Sequence, residues 1–160
     1  MPLRRVLMYL CFASMSGIFS AATALASAGP ATSLHLIYQL RESIEKCPAS
    51  THAKLGCALL VGKALESDTG WTVMRRFAVV DAPKPGLPAG CAFATTHGRL
   101  SGKSGRIHFK GDGYYCPKTD TAFYRYTFNA AEAGRYGLPI HGVIRYVGSS
   151  NTETFTSSAQ

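Results

Sequence analysis

Beyond Gly70 the chain is cut by glycines into short stretches in which β-branched and aromatic side chains alternate with polar ones, and this pattern leaves few folds open. It predicts strands over 71–80, 92–96, 106–110, 122–129, 142–147 and 152–156. In the first of these, Trp71, Val73, Phe77 and Val79 share one face, with Arg75 as the exception. Turn signals stand between the strands at His97-Gly98, Ser101 to Gly105, Gly111-Asp112-Gly113 and Gly148 to Asn151. Short strands joined this way make an all-β fold, a small antiparallel barrel or sandwich.

The section before Gly70 is open to two readings. Leu36, Ile37, Leu40 and Ile44 recur at helical spacing behind a capping Ser33, while Leu34, Leu36, Tyr38 and Leu40 alternate as a strand does. Glu42, Glu45 and Lys46 favour a helix for the later half and Pro48 ends it, so 34–46 is expected as a short N-terminal helix. Residues 55–65 fit either element. Three prolines and two glycines make 81–90 an ordered surface loop, and the small polar tail 156–160 is expected to fray. No stretch resembles a linker, so 29–160 is expected to be a single β-rich domain.

Residues 1–28 have the order of a cleaved signal peptide: Arg4 and Arg5, an uncharged apolar run from Val6 to Ala22, then small residues with Ala24-x-Ala26 and Ala26-x-Ala28. The arginine pair also admits a twin-arginine signal. The run is short for a spanning helix, and Met8-Tyr9-Leu10 before Cys11 is a poor lipoprotein box, so no stable membrane anchor is expected. The expected destination is the periplasm or the medium. Cleavage leaves four cysteines, Cys47, Cys57, Cys91 and Cys116, an even number that suits two disulfides in an exported chain. Three connectivities are possible; Cys47–Cys57 with Cys91–Cys116 is favoured, because each joins neighbouring segments. No two cysteines stand close enough for a zinc site, and no metal or cofactor is expected. Cleavage also leaves 15 Lys+Arg against 9 Asp+Glu, a net charge of +6 with no basic run longer than two. Such a surface permits anionic partners without requiring one, and no specific nucleic-acid partner is expected.

Two resemblances bear on function. Gly105-x-Ile107-x-Phe109-x-Gly111-x-Gly113-x-Tyr115-Cys116, the aromatic strand Phe123 to Phe128, then Gly134-Arg135-Tyr136 and Gly142-Val143-Ile144, resemble exported bacterial proteins of the allene oxide cyclase barrel and dirigent-like group. The segment Ala131-Glu132-Ala133 before Gly134 lacks the first glycine and the threonine of that group's pattern. The resemblance implies a compact antiparallel barrel around an apolar cavity; some members guide cyclisation or coupling of a hydrophobic substrate. No catalytic residue transfers, because the matching positions are structural. The stretch from Gly142 to Ser150 is similar to the final strand of small secreted fungal guanyl-specific ribonucleases, with Tyr146 where their catalytic His stands. A phenol with an ordinary pKa of about 10 is a poor acid for that reaction near neutral pH.

The remaining candidates are side chains at bends and in aromatic strands. Glu132 and Arg135 flank Gly134 in what the sequence presents as a loop, where they could orient a ligand or form a surface ion pair. Tyr126 and Tyr136 belong to an aromatic set with Tyr114, Tyr115, Phe123, Tyr124 and Phe128, part of which alternation must bury. His141 stands in the bend before Gly142. His108 faces away from the core positions Ile107 and Phe109, and His97 is expected in a turn. With no nucleophile elbow present, the expected function is binding of a small or extended apolar ligand or protein partner, catalytic residues being unknown. The rivals are a secreted interaction protein, such as an inhibitor or host-directed effector, and a cyclase-like or ribonuclease-like enzyme. The oligomeric state is not legible.

Overall fold

The computed structural model describes residues 33–49, 55–66 and 70–157, for Glu66 the backbone alone; the signal-like segment 1–28 and His52 lie outside the described residues. Eight strands form a closed antiparallel barrel: β1 (Leu34–Glu45), β2 (Gly56–Glu66), β3 (Val73–Val80), β4 (Ala92–Gly102), β5 (Gly105–Cys116), β6 (Thr121–Phe128), β7 (His141–Val147) and β8 (Thr152–Ser157). Each strand pairs with the next, and β8 pairs back onto β1, so among the described residues no strand is left as an unpaired edge. One short helix, α1 (Ala130–Tyr136), stands between β6 and β7.

Closure explains most departures from the sequence reading. The expected N-terminal helix is strand β1, and 55–65 falls in β2. Leu34, Leu36, Tyr38 and Leu40 all point inward and are buried, and β1 gains ladders on both sides, to β2 and to β8, which no isolated helix could match. The expected fraying tail is ordered as far as it is described: Thr156 and Ser157 pair with His35 and Leu34. His97-Gly98 and Gly111-Asp112-Gly113 lie inside β4 and β5 rather than in turns. Their glycines let neighbouring backbones approach as the strands coil: a Cβ on Gly98 would meet the Arg76 Cβ at 2.6 Å, and one on Gly113 would meet the Phe123 carbonyl. Strand β3 presents the opposite face from the apolar one. Met74, Arg76 and Ala78 are buried inside, while Val73, Arg75, Phe77 and Val79 face out.

The segment expected as a loop at 130–136 is α1. Asn129 caps it by accepting the Glu132 N–H at 3.2 Å, and Gly137 ends it in the left-handed region with φ 62°. The helix folds over one end of the barrel. Ala133 and Leu138 are buried there, and the Tyr136 ring stands edge-on to Trp71 with centroids 5.0 Å apart. Glu132 ties the helix to β5 by accepting the His108 backbone N–H at 2.6 Å, with the His108 ring Nδ1 at 2.9 Å. Above this plug, Phe109, Tyr126, Phe128 and Phe155 fill the barrel, their ring centroids 4.8 to 6.4 Å apart.

Candidate ligand-binding site at the open mouth

Toward the opposite end, Ala58 on β2, Ala78 on β3 and Ala122 on β6 present small inward side chains, and a cavity of about 360 Å³ opens between them. This volume lies in the range of small-molecule sites, ~300–1,000 Å³. Leu60 and Val80 complete the apolar wall, Tyr115, Tyr124 and Tyr146 line the other side, and Arg76 lies at the base. Glu42, Ile44, Leu55 and Pro117 form the rim, where Ile44 and Leu55 are 82% and 60% exposed.

Both disulfides stand at this end. Cys47–Cys57 ties the chain beyond β1 to the start of β2, and Cys91–Cys116 ties the Pro/Gly loop's end to the end of β5. These are the pairings expected of neighbouring segments. The loop is further held by the Asp81 N–H donating to the Phe93 carbonyl at 2.8 Å and by the Lys84 ammonium 3.4 Å from the Phe93 ring centroid. The mouth is therefore cross-linked, whereas the other end is closed by packing.

The base of the cavity is a buried ion pair. Arg76 and Glu153 are 1% and 0% exposed; Nε donates to Oε2 at 2.8 Å and Nη2 lies 2.7 Å from the same oxygen. Nη1 donates to Thr96 Oγ1 at 3.4 Å, and the guanidinium lies 5.0 Å from the Tyr124 ring centroid. Burial alone would make Arg76 easier to deprotonate, but the Glu153 charge more than offsets this and holds it protonated. Burial pushes the Glu153 carboxyl up, against the pull of Arg76. Nearer the rim, the Tyr115 hydroxyl donates to Asp120 at 3.0 Å and the Tyr146 hydroxyl to Glu42 at 3.4 Å. Burial and the Asp120 hydrogen bond push the Tyr115 phenol up to about 12; burial and the Glu42 charge push Tyr146 up as well. Near neutral pH these phenols are neutral hydrogen-bond donors, not bases. The arrangement can hold an apolar body and orient a polar group through hydroxyls. Among the described residues no three His, Cys, Asp or Glu side chains converge as a metal site would need.

None of the five residues singled out from the sequence lines this cavity. Glu132, Arg135 and Tyr136 sit on α1 at the plugged end. Tyr126 is buried in the aromatic core at 1% exposure. His141 is exposed on the outer wall, its Nδ1 3.2 Å from Thr127 Oγ1. His108 faces outward as alternation requires, its ring Nδ1 against Glu132. What sequence reasoning missed is Arg76, Glu153 and the three alanines. The one signal for the pair was a lone acid, Glu153, among the threonines of the last strand.

Fold and site define a disulfide-tied, closed eight-stranded antiparallel barrel, plugged at one end and open at the other on a largely apolar cavity. Comparison with protein-family models, with curated proteins and with solved structures finds no match.

Proposed function

We propose that this protein is an exported binder of a small, largely apolar ligand, held in the mouth of the barrel. The observation that carries this reading is the cavity of about 360 Å³, walled by alanine, leucine and valine and edged by tyrosine hydroxyls. The two disulfides support a working place in the periplasm or the medium, where such bonds persist. Among the described residues no helix is long and apolar enough to cross a membrane. The cavity also suits the resemblance to allene oxide cyclase and dirigent-like barrels. The ribonuclease-like reading is weakened because the Tyr146 phenol lines the cavity and is held above its ordinary range.

A neutral apolar fluorophore, N-phenyl-1-naphthylamine, tests the proposal. The protein should take up one molecule with enhanced emission, and Ala122→Leu, which fills the mouth, should abolish uptake while leaving the near-ultraviolet circular dichroism of the core unchanged. Equal uptake by the two proteins would overturn the assignment of the site. The exposed Ile44 and Leu55 favour a second reading, in which the rim receives an apolar side chain of a partner protein. That reading predicts no fluorophore uptake by either protein.

A further inference from the structure

Basic residues that are scattered along the chain meet on the outer wall. Across four adjacent strand pairs, Arg41 stands opposite Val61, Val61 opposite Arg75, Arg75 opposite Arg99, and Arg99 opposite His108. These positions face out, because Leu40, Leu60, Met74, Leu100 and Ile107 beside them face in. The flanking rows add Lys63 opposite Val73, Ser101 opposite Arg106, and His97 opposite Lys110. No Asp or Glu occupies any of these positions. Arg75 and Arg99 make no ion pair among the described residues, where the only two are Arg76–Glu153 and His108–Glu132.

Like charges directly opposite across a ladder destabilise a sheet. A fold that keeps Arg75 against Arg99 with no acid between them is built to receive negative charge from outside. A second observation says what kind. Val61, Val73 and Leu65 are 39%, 38% and 58% exposed, interleaved with Lys63 and Arg75 on β2 and β3. Cations alternating with exposed aliphatic side chains match an interface of anionic headgroups over hydrocarbon. A nucleic acid would call for exposed stacking aromatics, and Phe77, the aromatic of these rows, is half-buried. An acidic polysaccharide offers nothing to an exposed leucine.

We infer that the outer face of β2–β4 docks peripherally on an anionic lipid surface. The mid-strand arginines keep the barrel out of the hydrocarbon itself. This inference is independent of the ligand proposed for the mouth.

Sedimentation of the disulfide-intact protein with phosphatidylcholine vesicles, with and without phosphatidylglycerol, tests it. Binding should require phosphatidylglycerol and weaken as salt rises. Arg75→Gln with Arg99→Gln should lower partitioning about twenty-five-fold, at about fivefold per charge. The same charge loss on the far wall, Arg125→Gln with Arg145→Gln, should lower it no more than about threefold, because those charges lie beyond the contact. Leu65→Ser with Val73→Ser should weaken binding without changing its salt dependence. Equal losses from the two arginine pairs, equal binding to uncharged vesicles, or retention by RNA or heparin with no vesicle binding would each overturn the inference.

Discussion

Replacing Glu153 by Gln tests whether the barrel interior tolerates an uncompensated charge. The substitution keeps the side chain's shape and removes only its charge, leaving the buried Arg76 guanidinium with neutral partners alone: the amide oxygen, Thr96 and Tyr124. At the 2.7 Å separation of the pair, the attraction is about 6 kcal/mol for an effective dielectric of ~20. Part of this is recovered by relaxation and water entry, so the expected loss is about 3–5 kcal/mol, as for other buried pairs that lose one partner. Urea denaturation followed by tryptophan fluorescence reads it through Trp71. With a slope of about 1.5 kcal/mol/M, the midpoint should fall by about 2–3 M. Arg76→Met with Glu153→Leu should return to within about 1 kcal/mol of the parent or exceed it, because the desolvation of both charges is removed together. A single variant within about 1 kcal/mol of the parent, or a double variant as unstable as the single one, would refute the reasoning.

Two further outcomes follow from the mouth and the plug. The disulfides close loops with sequence separations of 10 and 25 residues, worth about 2.7 and about 3.5 kcal/mol in the chain-entropy treatment. Reduction should therefore raise hydrogen exchange in the loop 81–91 and at the β5–β6 turn before it does so around α1; first opening at Trp71 and α1 would contradict the division into a cross-linked and a packed end. Slight burial pushes the Glu132 carboxyl up, but hydrogen bonds from the His108 N–H and ring more than offset it and hold it below the ordinary range. Because its folded pKa is depressed, its contribution is present above pH ~4.5 and is lost as pH falls through the folded value. Glu132→Gln should cost about 0.5–1 kcal/mol at neutral pH, and a cost that persists undiminished in acid would show that the charge is not its source.

By itself the sequence determined what short-range chemistry controls. Alternation and glycine placement set the all-β class and marked a part of each strand from β3 to β8, though β4 and β5 run on through glycines that read as turns. The cysteines left three pairings open, and the favoured one, between neighbouring segments, is the one the fold makes. The α1 caps, Asn129 with Glu132 and the closing Gly137, are local signals too, but the glycine at 134 masked them and the segment read as a loop. Tertiary structure decided whatever depends on barrel closure. Leu34 to Glu45 satisfies helical and strand periods alike, and only the ladders to β2 and β8 select the strand. β3 could bury either face, and the side carrying Arg76 is turned inward, where Glu153, 77 residues away, meets it. The cavity exists because alanines from β2, β3 and β6 arrive at one level, and the basic wall because register sets Arg75 beside Arg99. Such coincidences between distant strands come from register and closure, to which no window of neighbouring residues has access.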